Sequence, residues 1–181
     1  AIKENKNYND LTIKEIVPIM KLNIRGKKTE FFTNVSKILN MILPTEANTS
    51  STNDKLTSIW LSPDEWMIYS NDPIENNNNS YELEESIYSN ISKNNLGSIS
   101  DVTDQFVMIN LEGKKIFELL NSGSPFNFNE FKEKKGLTTQ TILNHIDVII
   151  HNKNINNVNL FVRRSFAEHL WSWMNDSARF L

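Results

Sequence analysis

A chain of 181 residues with a net charge of −3 and a pI near 5.7 fits one domain or two small, closely packed halves, and it carries no basic footprint for a nucleic-acid backbone or an anionic membrane. The absence of cysteine excludes disulfides, thiolate catalysis and thiolate metal ligation, and it fits a reducing, cytoplasmic setting. No window approaches eighteen apolar residues and the opening AIKENKNYND has no apolar signal core, so neither a membrane span nor a secretory leader is expected.

About one residue in seven is asparagine, gathered in loops such as Asn76 to Asn79 and Asn152 to Asn159, a bias that AT-rich coding explains without any function. Residues 1–15 are polar and read as an N-terminal arm. From Ile16 apolar residues return, and Met20, Leu22 and Ile24 alternate as in a strand that Gly26 ends. Thr29 to Leu43 places Phe32, Val35, Leu39 and Ile42 at helical spacing and stops before Pro44. Residues 44–54, PTEANTSSTND, read as a polar linker. Residues 55–61 and 65–70 are two short strands around the turn Ser62-Pro63-Asp64, with Trp60 and Trp66 flanking it.

Ser80 is placed to cap a helix from Tyr81 to about Lys93, with Glu82, Glu84 and Glu85 near its positive end and Leu83, Ile87 and Ile91 on one face. Gly97 to Val102 is a strand again. Residues 16–104 therefore follow the β-α-β-β-α-β order of a ferredoxin-like layer.

The pattern starts afresh in residues 105–181. Phe106 to Leu111 is a strand, and Gly113 opens a short helix with Ile116, Leu119 and Leu120. The loop NSGSPFNFNEFKEKKG follows, then strands over Thr138 to Leu143 and Ile146 to His151. Leu160 to Val162 suit a buried strand, and Ser165 with Glu168 forms the S-x-x-E capping box that opens a last helix. Phe166, Leu170, Trp173 and Met174 share its apolar face, which Trp171 widens. Each large aromatic buries roughly 150–250 Å², so this Trp-rich helix must pack on a sheet or on another chain. The fold class is α+β: two ferredoxin-like halves packed together, with helices on the sheet faces.

Reactive groups are sparse. His145, His151 and His169 include no i, i+4 pair and no H-E-x-x-H, and the five glycines build neither G-x-G-x-x-G nor a P-loop. A G-x-S-x-G elbow is missing as well. Carboxylate pairs such as Glu84 and Glu85 lie on a solvated helix. Two local features remain. Asp101 and Asp104, in S-D-V-T-D-Q, lie between two strands near the join of the halves, where a carboxylate either faces a crevice or caps the turn; Asp101 is the one catalytic candidate. Arg163 and Arg164 stand where a strand feeds a helix, and their planar forks suit a carboxylate, a local ion pair or a neighbouring chain. No metal-binding or cofactor-binding residue is expected.

Six segments in order, L-P-T-E-A-N-T at 43–49, W-L-S-P-D-E-W at 60–66, D-V-T-D-Q at 101–105, G-S-P-F-N-F at 123–128, T-Q-T-I-L at 139–143 and F-V-R-R-S-F-A-E-H-L-W-S-W at 161–173, resemble the sarcosine oxidase gamma subunit family. The resemblance implies a fold similar to part of the aminomethyltransferase, or T-protein, fold. It also implies a heterotetramer with alpha, beta and delta subunits, in which FAD, FMN, NAD and tetrahydrofolate sit on other chains and the gamma chain holds no cofactor. Such an enzyme demethylates sarcosine to glycine, passes the carbon to tetrahydrofolate or releases formaldehyde, and makes hydrogen peroxide.

D-V-T-D matches the place where T-proteins have D-V-S-H and use the aspartate beside folate. Here Asp104 replaces that histidine, and the family's G-C-P is G-S-P with Ser124. The expectation is a non-catalytic subunit that meets its partners through Arg163, Arg164, Trp171 and Trp173. The alternatives are a stand-alone folate-dependent one-carbon transfer protein using Asp101, and the small subunit of a related N-methyl amino acid dehydrogenase.

Overall fold

The computed structural model describes residues 4–72 and 80–181; the run Asn76 to Asn79 and the side chains of Ser80 and Tyr81 lie outside the described set. Residues 6–15, polar enough on average to read as an arm, are in fact two strands. Lys6–Tyr8 (β1) and Leu11–Glu15 (β2) pair antiparallel through a turn in which Asp10 takes a left-handed φ of 57°. Leu11 and Ile13 are buried while their neighbours are not. That alternation is only two apolar residues long, too short for a strand signal to rise above the surrounding polarity.

The chain divides into two units, Pro18–Asp104 and a second made of the residues up to Val17 with Gln105–Leu181. In the first, Lys21–Gly26 (β3) turns Leu22 and Ile24 inward, and Thr29–Leu39 (α1) lays Phe31, Val35 and Leu39 on them. The helix stops four residues short of the expected end because Asn40 adopts the left-handed conformation, which asparagine tolerates, and its N–H closes on the Ser36 carbonyl. Ile42, expected on the buried face, is therefore 80% exposed.

The stretch read as a linker contains a short strand, Ser50–Thr52 (β4), which pairs with Leu56–Ser62 (β5); β5 turns into Glu65–Ser70 (β6). Trp60 and Trp66 face each other across this hairpin. Trp66 is the centre of the unit. Its ring stacks on Phe31 at 5.8 Å and takes the edge of Phe32 at 5.3 Å, and its Nε1–H donates to the Pro44 carbonyl at 2.7 Å. Ser80–Ile87 (α2) runs into a π-helical turn, Tyr88–Ser92, and Gly97–Asp101 (β7) closes the unit. The sheet order β4-β5-β6-β3-β7, antiparallel throughout, contains the split β-α-β arrangement of a ferredoxin-like layer.

The second unit carries Phe106–Glu112 (β8), Ile116–Asn121 (α3), Thr138–Leu143 (β9), Ile146–Asn154 (β10), Asn157–Arg163 (β11) and Arg164–Ala178 (α4). Its antiparallel sheet runs β1-β2-β8-β11-β10-β9. The strands β9, β10 and β11 form a meander, and the helix follows the last strand instead of preceding it. Asn144 and His145, both at positive φ, make the tight turn between β9 and β10. Leu119, Leu120, Leu170, Trp171 and Met174 of the two helices pack on Ile109, Val148, Ile150, Leu160 and Val162 of the sheet. The loop after α3 adds Phe126, Phe128 and Phe131, whose rings meet one another edge to face, and Phe128 and Phe131 also meet Phe117, all 4.8–6.1 Å apart.

Candidate functional site

The junction of β11 and α4 brings together two exposed arginines and a half-exposed phenylalanine of the second unit. The helix begins at Arg164, one residue before the expected cap, so Ser165 lies inside the first turn and the capping box is not formed. Arg163 is the N-cap, with no side-chain cap bond, and the Arg164 N–H donates to the Gln105 carbonyl at 2.9 Å. Arg163 and Phe106 are register partners on β11 and β8, which holds the guanidinium 5.4 Å above the ring. Both arginines are exposed and Phe166 is half exposed.

The tryptophans look inward. Trp171 is 8% exposed and belongs to the core cluster, and Trp173 packs against that cluster over Gly123, where any Cβ would collide with its ring. Helical spacing alone put Phe166 and both tryptophans on one apolar face. The structure buries Trp171, half-buries Trp173 and leaves Phe166 half exposed, with Phe106 half-buried beneath Arg163.

Beside α4 lies a cavity of about 150 Å³. Val107, Ile109, Ala167 and Trp171 line it together with the charged Glu15, Arg164 and Glu168. Glu15 belongs to β2, within the stretch read as an arm, so sequence reasoning had no route to this site.

Asp101, the catalytic candidate, ends β7 as an exposed residue. Its Oδ1 accepts the Thr103 N–H at 2.9 Å, which makes it the cap of the turn. Thr103 in turn accepts the Lys21 N–H on its hydroxyl at 3.0 Å, and the Val102 N–H donates to the Lys21 carbonyl at 2.9 Å. The D-V-T-D segment thus clasps the first residue of β3. Lys21 itself is 2% exposed, with Nζ donating to the carbonyls of Ile19 and Thr103. A strand pattern gives no signal for such a buried lysine. Near Asp101, the Glu84 carboxyl is held above its ordinary range, first by burial and then by the Asp101 and Glu85 charges.

A polar row crosses the sheet of the second unit, Lys14, Asn110, Asn159, His151 and Thr138 being successive register partners on β2, β8, β11, β10 and β9. Asn110 donates to the side-chain oxygens of Asn157 at 2.7 Å and Asn159 at 2.8 Å. Burial, helped by the Lys153 charge, brings the His151 pKa down to about 4. Asn110 Oδ1 and Thr138 Oγ1 are buried polar atoms without a hydrogen-bond partner among the described residues. No group of three potential metal ligands occurs among the described residues, and no described helix is long and apolar enough to cross a membrane.

The family model described as sarcosine oxidase, gamma subunit family, matches residues 25–179. The chain belongs to that family. Its role is that of a gamma subunit, a component of an oxidoreductase assembly, which implies partner subunits. Among solved structures, the gamma-family chain is similar to heterotetrameric sarcosine oxidase from Corynebacterium sp. U-96, determined in complex with pyrrole 2-carboxylate. The TM-score is 0.82 at 18% identity, over 93% of this chain and 84% of that one.

It is also similar to the glycine cleavage system aminomethyltransferase T from Bartonella henselae, with a TM-score of 0.64 at 14% identity. That match covers 91% of this chain and 45% of the transferase, so the gamma-family chain spans less than half of the latter. At these identities the likenesses are of fold, and they agree with the α+β architecture expected from the six segments. No curated protein matches the chain in sequence.

Proposed function

We propose that this gamma-family chain is a non-catalytic, cytoplasmic subunit that supports the flavin-bearing chains of a heterotetrameric sarcosine oxidase. The observation that carries the reading is the family match over residues 25–179. The assembly comprises alpha, beta and delta partners that carry FAD, FMN, NAD and tetrahydrofolate. It oxidatively demethylates sarcosine to glycine with formation of hydrogen peroxide, and delivers the carbon as formaldehyde or 5,10-methylenetetrahydrofolate. The contribution of this chain is surface. Arg163, Arg164 and Phe166 form the outer contact, since arginine and aromatic anchors dominate binding energy at interfaces. Trp171 and Trp173 support that contact from beneath by fixing α4 on its sheet. Asp101 serves the turn that holds β3, and no catalytic step is assigned to it.

The test is a native pull-down with this chain as bait, followed by the visible spectrum and the masses of the captured chains. Flavin absorbance arriving with larger partners, bleached by sarcosine, is the expected result. Bleaching by another N-methyl amino acid and not by sarcosine moves the chain to a sister dehydrogenase. A colourless, lone protein overturns the subunit reading, and heat released on titration with tetrahydrofolate would then return Asp101 to candidacy.

A further inference from the structure

Of the five methionines in the chain, Met20, Met67, Met108 and Met174 are buried, at 0–7% exposure, and Met41 alone is partly exposed. It follows Asn40, whose left-handed turn ends α1, and precedes Ile42 on the surface. Its position is nevertheless fixed. The Met41 N–H donates to the Ser36 carbonyl at 3.3 Å, and the Asn53 side chain donates to the carbonyls of Leu39 and Asn40 at 2.9 and 3.3 Å. The side chain packs against the core that contains Leu39, Leu43 and Leu56, and its sulfur accepts the Ser58 hydroxyl at 2.9 Å. Ser58, on β5, is 0% exposed, and among the described residues this is the one hydrogen bond its hydroxyl makes.

A thioether sulfur carries two lone pairs and is a weak acceptor. Ser58 takes one of them. The other can attack an electrophile, and hydrogen peroxide is small and neutral enough to reach a partly exposed sulfur without a built pocket.

We propose that Met41 is the site at which this chain takes up an oxygen atom from hydrogen peroxide. The second lone pair attacks one peroxide oxygen and the O–O bond breaks; the proton on the attacked oxygen passes to the departing hydroxide, which leaves as water. Sulfur is oxidised by two electrons to the sulfoxide and the peroxide is reduced by two. The new oxygen projects from the lone pair that Ser58 did not hold, so the buried hydroxyl is left facing an electron-poor sulfur. A buried donor without an acceptor costs stability, and the modification is thereby felt in β5. That a source of peroxide stands beside this chain rests on the subunit reading; the order in which its methionines react does not.

The full chain is treated with limiting hydrogen peroxide, and the gain of about 16 Da per oxygen is mapped to peptides by mass spectrometry. Met41 is expected to react about tenfold or more faster than any other methionine, and Met41→Leu is expected to remove that fast phase. Oxidation is expected to lower the melting midpoint by about 2–8 °C. In Ser58→Ala no hydroxyl is stranded, and the shift is expected to fall to less than half. In the assembled complex turning over sarcosine, Met41 is expected to gain oxygen, and added catalase to prevent it.

Faster reaction of another methionine, or equal reaction of all five, overturns the site. Oxidation of Met41 with an unchanged melting midpoint, or with the same shift in Ser58→Ala, overturns the coupling to β5. A complex that makes peroxide but leaves Met41 unmodified overturns the role of the site in the assembly. Failure of the chain to capture any flavin-bearing partner overturns the subunit reading instead, and the order of oxidation in the chain still decides the site.

Discussion

His151 shows how burial turns a common residue into a liability with a definite pH range. Its pKa is lowered from 6.5 to about 4 in the folded chain, so the unfolded chain binds the extra proton first as pH falls. The stability it contributes is complete above pH 6.5 and is lost progressively down to pH 4, by up to about 3 kcal/mol at the low end. Denaturant titrations at pH 7, 5.5 and 4 are expected to show that decline, and His151→Gln is expected to reduce it. A second prediction concerns Trp171. Because that ring lies in the core and not at the surface, Trp171→Ala is expected to cost about 3–5 kcal/mol of stability, read as a lowered melting midpoint of the chain before any partner is added. The residue types at α4 were legible, but which of them touch solvent was not. Phe166, Trp171 and Trp173 all fit the same helical stripe, and only the position of the sheet and of Gly123 separates them. Asp101 was legible as either a site or a cap; its bond to the Thr103 amide decides the geometry.

At the scale of elements, the sequence pattern was most informative where apolar residues are dense. The hairpin β5–β6 with its paired tryptophans and the strands β8 and β9 lie where expected, but β10 and β11 extend through Asn154 and from Asn157 into the asparagine run 152–159 that reads as a loop, because backbone pairing and burial of Asn152 and Asn159 outweigh its polarity. The misses share a cause. In β4 the pattern is Ser-Ser-Thr, in β2 the apolar signal is Leu11 and Ile13 alone, and in α1 the end is set by a left-handed Asn40 inside an apolar run. In each case pairing or backbone conformation outweighs hydrophobic period. This bears on truncation. Deleting residues 1–15 would be harmless if they were an arm, but it strips β8 of its partner β2 and removes two buried side chains worth about 1.5–3 kcal/mol each. The deletion variant is expected to melt well below the full chain or to be recovered as aggregate, and an unchanged melting midpoint would show that β1 and β2 add nothing to the sheet.

For the whole molecule, the six ordered segments made the family legible at a level that no motif of catalysis provided, because they hold packing and turn positions such as Trp66, the Asp101 turn and the α4 core face. The family match begins at residue 25, after β1 and β2, although those strands complete the sheet on which α4 rests. That discontinuity also sets an order of events during synthesis. Ile13 pairs with Leu111, so the hairpin β1–β2 leaves the ribosome long before β8 exists to receive it. At about 5–20 residues per second, the interval amounts to roughly 5–20 s, during which the Pro18–Asp104 unit can close its own core. Through that time the nascent hairpin carries Leu11, Ile13 and an unpaired strand edge, which makes it the segment most in need of a chaperone's cover until the rest of its sheet is translated.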